Sequence, residues 1–222
     1  MLSDAFDFPR SGDDWLPTIL IGTVLSMLSV LVLPAFVLQG YLVRVLRDAA
    51  ADEPAAPSFT RWGELLVDGL KLLVVNVLYA VIVLVPMGVV LGVIGGVGAL
   101  FGDSNAGALF ATATGLVFAL LAVVIGLLVA YLVPAALANF AIEGRIGAAF
   151  DVGTIRRGAF TGEYATAWLL AIVVAVIGGL VGSLLSVILV GIFLLFYVQV
   201  MTYYLWGRGF AAGLDRGTRG AL

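Results

Sequence analysis

The chain has no cysteine, no histidine and a single lysine. Without cysteine there is neither a disulfide framework nor a thiol nucleophile, and the redox compartment is left open. Zinc and most redox metals draw on Cys and His for ligands, so no metal or cofactor site is expected. Charge is scarce as well. Charged residues make up 11% of the 222 residues, against about 25% in an ordinary soluble domain. Outside the hydrophobic runs the longest stretch is residues 44–71, 28 residues. Domains below about 40 residues rarely fold unaided, so a separate soluble domain is excluded and one integral membrane domain over residues 1–222 is expected.

What fills the chain instead is hydrophobic, at 63%. Four runs carry no charge at all: Trp15–Val43, Leu72–Gly102, Ser104–Ile142 and Tyr164–Gly207, the shortest of 29 residues and the longest of 44. About 18 uncharged apolar residues already read as a membrane span, because a helix needs about 20 to cross a hydrocarbon core of about 30 Å. The 44-residue run would be about 66 Å as one rod, so it divides between Gly182 and Gly191. The first run is open to two readings. It is one long tilted span, or it breaks near Leu33–Pro34, with the proline in the first turn of a second helix and Arg44 and Arg47 snorkelling to the interface.

The fold class is therefore all-α, a polytopic transmembrane helical bundle. It has six membrane helices, near 15–32, 34–47, 72–101, 107–138, 164–184 and 190–207, or five if the first run is a single span. Interfacial helices are expected near 58–71 and 145–157. The string Leu28–Phe36 (LSVLVLPAF) echoes Leu185–Phe193 (LSVILVGIF), where the last run turns, and favours the broken form. The N-terminus, with four Asp and one Arg before Trp15, is the reverse of a basic signal n-region; the first run is read as retained.

Basic residues set the orientation, since cytoplasmic flanks collect Lys and Arg. Arg44, Arg47, Arg61 and Lys71 lie between the first two runs, and Arg145, Arg156 and Arg157 between the last two. Arg208, Arg216 and Arg219 follow the final run, while the loop 102–107 carries only Asp103. The C-terminal side is cytoplasmic, and in the six-helix form the N-terminal side is too.

Lipid provides no hydrophobic drive between helices, so packing relies on small residues that let backbones approach. Three ladders have the four-residue spacing that shares a helix face: Gly88, Gly92 and Gly96; Ala111 and Gly115; and Ala167, Ala171, Ala175 and Gly179. Ion and proton carriers place ionisable groups inside the membrane; the four runs hold none. The charged residues gather instead in a cytoplasmic surface made of Asp68, Lys71, Glu143, Arg145, Asp151, Arg156 and Arg157. Arg forks in such a surface suit lipid phosphate or a partner's acidic motif.

The strings SGDDWLPTILIG, GYLVRVLRDAA, RWGELLVDGLK, ALANFAIEGRIGAAFDVGTIR and YYLWGRGFA occur in this order and are spread over nearly the whole chain, from residue 11 to residue 211. Together they resemble the multi-pass membrane family catalogued as domain of unknown function 4013, common in halophilic archaea. The resemblance implies membrane location and a halophilic source, and no catalytic residues. The Arg- and Asp-rich, Lys-poor charge set fits such a source, as it fits a GC-rich genome.

No paired-carboxylate, phosphate-loop or Ser-centred motif is present, and a general base would have to be a carboxylate or Lys with a shifted pKa. The expectation is a non-catalytic membrane protein that organises partners or lipids at the cytoplasmic membrane. The alternative is a transporter or channel for a neutral or hydrophobic solute. Expected partners are the lipid bilayer and a membrane protein or a second copy of the chain; nucleic acid is not expected.

Overall fold

The computed structural model describes residues 1–101 and 105–219. Of the loop expected at 102–107, residues 102–104, with Asp103, lie outside them, and 105–107 are helical. Among the described residues every regular element is helical: α1 (Leu2–Asp7), α2 (Trp15–Met27), α3 (Val32–Ala50), α4 (Trp62–Phe101), α5 (Asn105–Glu143), α6 (Val152–Ala159), α7 (Gly162–Leu185) and α8 (Val190–Arg219), with 3-10 turns at Phe8–Arg10, Ile146–Phe150 and Ser186–Ile188. Four segments are long and apolar enough to cross a membrane: Trp62–Val93, Thr112–Glu143, Gly162–Ile188 and Val190–Asp215. Helix α2 is apolar but short.

Local signals explain most boundaries. The first run is broken at residues 28–31, and Pro34 falls in the first turn of α3, where a missing N–H costs nothing. Helix α5 ends at Gly144, whose φ of +69° closes the last turn in the left-handed conformation that glycine supplies without strain. Asp151 caps α6 and Thr161 caps α7, each accepting from a backbone N–H of the first turn. The segment expected as a separate interfacial helix near 58–71 begins instead at Trp62 and runs on as the first turns of α4. Nothing between Trp62 and Lys71 breaks it, because the Pro residues lie earlier, at 54 and 57.

The helices form two compact units: Met1–Leu73 with Leu132–Leu222, and Val74–Tyr131. The first contains α1–α3, α6–α8 and the charged ends of α4 and α5. Its core joins Leu42, Val45 and Leu65 to Met201 and Leu205. An aromatic stack runs through it, Tyr41 on Phe59 at 4.2 Å and Tyr41 to Phe196 at 5.8 Å. Phe8 packs on Tyr204 at 4.4 Å, and the Ala56 N–H donates to Ser11 Oγ at 3.0 Å. The N-terminal segment and the connection between α3 and α4 therefore share one end of the unit. Arg208 joins them there, 2.6 Å from Asp52.

Helices α3 and α4 meet backbone to backbone. A methyl built at Gly40 would collide with the Leu65 carbonyl, and one at Gly69 with that of Phe36. Gly207 of α8 lies against the Leu46 carbonyl of α3 in the same way. In the α7–α8 pair, Gly178 faces Val198 and Gly182 faces Leu195. Of the ladder residues named from spacing, Ala167 and Ala171 are buried while Ala175 is exposed. A methyl added to Gly179 would meet nothing within 4 Å beyond its own helix.

The second unit comprises 74–101 of α4 and 105–131 of α5. A groove of about 300 Å³ is lined by Ile82, Pro86, Met87, Phe118, Leu121 and Ile125, among other apolar side chains. Methyls at Gly88, Gly92, Gly96 or Gly115 would likewise meet nothing within 4 Å. The side-chain surroundings of Ala111 lie outside the described residues.

Candidate functional site

The charged residues of the first unit collect where α3, α4 and α5 end together. Arg44, on α3, is only 5% exposed. Its guanidinium donates to the carbonyls of Ser58 at 3.2 Å and Thr60 at 2.9 Å and lies 3.8 Å from Glu64. The snorkelling expected of this residue is replaced by an inward fork. The linker before α4 turns two carbonyls toward it, which removes the need for water. Arg47, one turn on, donates from Nε to the Ala141 carbonyl at 2.8 Å and pairs with Asp68 at 3.2 Å. Lys71 donates to the Gly144 carbonyl at 3.1 Å and stands 3.7 Å from Asp68.

Two cations thus flank one half-buried carboxylate and reach the last carbonyls of α5, where the helix dipole favours positive charge. They form one wall of an open cavity of about 360 Å³ lined by Arg47, Gly63, Glu64, Val67, Asp68, Lys71 and Gly144. Arg47 and Lys71 are balanced there by Asp68 and Glu64. With two cations and two carboxylates in its lining, the cavity is neutral rather than cationic.

The remaining residues of the expected surface separate into smaller groups. Glu143 and Arg145 pair with each other at 2.9 Å, both largely exposed. Asp151 accepts from the Thr154 N–H at 3.1 Å and from its hydroxyl at 2.8 Å; the backbone bond, then the hydroxyl, hold its carboxyl below the ordinary value. Arg157 donates to Thr154 Oγ1 at 2.9 Å, so its guanidinium lies along α6. Arg156 is exposed. Asp68 and Lys71 come together with Arg47, while Glu143 pairs with Arg145, and Asp151 and Arg157 bond Thr154.

Helix α6 has two distinct faces. Ile155, Gly158 and Ala159 are buried, and Gly158 lies beneath the Phe210 ring of α8. Val152, in the first turn of α6, is 73% exposed and Phe160, just past its end, 64%, with Arg156 between at four-residue spacing. The platform under α6 is braced by Asn139, 2% exposed, whose side-chain amide donates to the Ala148 carbonyl at 2.8 Å. Sequence reasoning missed Arg44, Arg47 and Asn139 as structural members of this layer. The Asn was legible as a rare buried-type polar residue beside a charged loop; the inward turn of the arginines was not.

Apolar helices long enough to span a bilayer, with charged residues gathered at their ends, define a helical membrane protein. Residues 27–187, more than half of the chain, match the family model described as "Protein of unknown function (DUF4013)". The chain belongs to that family. No curated protein and no solved structure matches it.

Proposed function

We propose that this chain is a non-catalytic protein of the cell membrane that organises anionic lipids on its cytoplasmic side, with α6 as the contact. The observation that carries this reading is the outer face of α6. Arg156 and Arg157 are exposed there beside Val152 and Phe160. A short helix with apolar side chains flanking basic ones is the composition that lies in a headgroup layer. Arginine grips phosphate with paired donors, and each basic residue near an anionic surface contributes about 1 kcal/mol of attraction. The charges deeper in the layer, at Arg44, Arg47 and Lys71, are engaged with carbonyls and carboxylates, which leaves α6 as the cationic contact.

Both chain ends belong on the cytoplasmic side in this reading. The contact of Ser11 with Ala56 and that of Arg208 with Asp52 support it, together with the distribution of Lys and Arg. The test is lipid retention. Purified from native membranes, the protein should carry anionic phospholipid, and Arg156→Ala with Arg157→Ala should carry at least several-fold less while keeping its thermal stability. Equal retention by the double variant would end this reading.

The entirely apolar groove between α4 and α5 within the second unit supports a second reading, passage of a hydrophobic solute. Liposomes containing the protein would then release such a solute faster than empty vesicles.

A further inference from the structure

We infer that the α2–α3 hairpin is re-entrant: it enters the bilayer from the side of its charged ends, and its tip stops among lipid acyl chains without reaching the far surface. Helix α2 has 13 residues, about 20 Å at 1.5 Å per residue, short of a hydrocarbon core of about 30 Å. The two arms agree on the depth. Val30, at the tip, is 16 residues beyond Asp14 and 14 before Arg44, or about 24 and 21 Å along helical rises. The arms return to one level, because the Ala56 N–H donates to Ser11 before α2 and Arg44 of α3 donates to the Ser58 carbonyl two residues further on.

Apart from Ser29, the exposed side chains of the tip are apolar. Met27 is 54%, Val30 87%, Leu31 53%, Val32 67% and Leu33 67% exposed. Set in water, these residues would leave a contiguous apolar patch of the kind that soluble surfaces avoid. The backbone is also prepared for oil. A helix end leaves carbonyls without partners, and in hydrocarbon each costs several kcal/mol. Here the Ser29 hydroxyl donates to the Ser26 carbonyl at 2.7 Å, and the Leu31 N–H to that of Leu28 at 2.8 Å.

The same device recurs at the other hairpin. Ser26-Met-Leu-Ser29-Val30 is matched by Ser183-Leu-Leu-Ser186-Val187. The Ser186 hydroxyl donates to the Ser183 carbonyl at 2.6 Å, and Val187 is 88% exposed. The echo between these strings is thus a shared way of turning a helix pair inside a membrane. The hairpins differ in reach, because α7 has 24 residues, about 36 Å, long enough to cross where α2 is not.

The lack of native cysteine makes the test direct. Val30→Cys and, as a second variant at the same tip, Leu33→Cys place one thiol each on side chains that touch little of the protein. Ser11→Cys serves as the accessible reference. In intact cells and in inside-out vesicles, an impermeant maleimide should label the tip thiols no more than it labels the unsubstituted chain. A nitroxide on either tip thiol, in liposomes, should collide more often with oxygen than with a water-soluble nickel chelate, at a depth beyond the midplane from the Ser11 side. Labelling from the face opposite Ser11 would mean that the hairpin crosses. Labelling from the Ser11 face would mean that the tip lies in water. Slow collision with both oxygen and nickel would mean that protein, not lipid, covers it. Each of the three overturns the inference.

Discussion

Alanine placed at Gly40 should destabilise the protein, while alanine at Gly88 should not, although both glycines sit in apolar helices. At Gly40 the new methyl would enter the Leu65 backbone, and a backbone carbonyl cannot swing aside as a side chain can. Restoring an ordinary contact of about 3.5 Å requires α3 and α4 to part. Parting them draws Arg44 from the carbonyls of Ser58 and Thr60, and Arg47 from Asp68. Overpacking of this kind costs about 1–3 kcal/mol, here at the upper end, and the better helix propensity of alanine offsets about 1. The net loss is about 2 kcal/mol. At about 2.1 cal/mol/K per residue over the whole chain, unfolding entropy is about 0.47 kcal/mol/K, so the midpoint should fall by about 4 °C. At Gly88 nothing stands within 4 Å, so only the propensity gain remains, a shift of about 0 to +2 °C. Thermal unfolding of the purified proteins in one detergent reads both. Equal shifts for Gly40→Ala and Gly88→Ala would refute the assignment of Gly40 to a backbone crossing, and Gly69→Ala should follow Gly40→Ala because it meets Phe36 reciprocally.

Arg44→Met should cost about 1.5–3 kcal/mol, since it takes the charged donor from the carbonyls of Ser58 and Thr60, whereas Arg61→Ala, in an exposed pair with Glu64, should cost about 1 kcal/mol at most; urea or thermal midpoints distinguish them. The Asp151 carboxyl titrates below its ordinary value because Thr154 donates to it twice. Its stabilisation of α6 is present above the unfolded pKa and disappears as pH falls through the folded one. Hydrogen exchange at the Thr154 amide, corrected for intrinsic rate, should therefore quicken in acid in the native chain, and Asp151→Asn, which keeps a cap, should remove that dependence. Ser11→Cys should react with an impermeant maleimide in inside-out vesicles and not in intact cells, and the opposite result would reverse the side assigned to the N-terminal segment.

The helical class was legible because charge and hydrophobicity are so sharply partitioned. The break in the first run was one of two readings, favoured by the echo of Leu28–Phe36 at Leu185–Phe193, and it falls at residues 28–31 rather than at Leu33–Pro34. Long-range contact was not legible. Four-residue spacing identified Gly88, Gly92 and Gly96, which face nothing nearby, as readily as any packed stripe. The close approaches fall at Gly40, Gly69 and Gly207, isolated glycines whose partners are distant in sequence. Periodicity reports which residues share a face, and nothing about whether another helix arrives there. The charged layer followed the same pattern. Lys71 and Asp68, three apart on one helix, could be paired from sequence. The bonds from Arg47 to Ala141 and from Lys71 to Gly144 join residues more than seventy apart. Arg44 turned inward because the linker carbonyls at Ser58 and Thr60 face it, a property of backbone path that composition does not encode.

Membrane insertion underlies every element of this account, and extraction of native membranes measures it most directly. After an alkaline carbonate wash, the protein should remain wholly with the sedimented lipid and come off only with detergent. Recovery in the supernatant, with no detergent added, would contradict it.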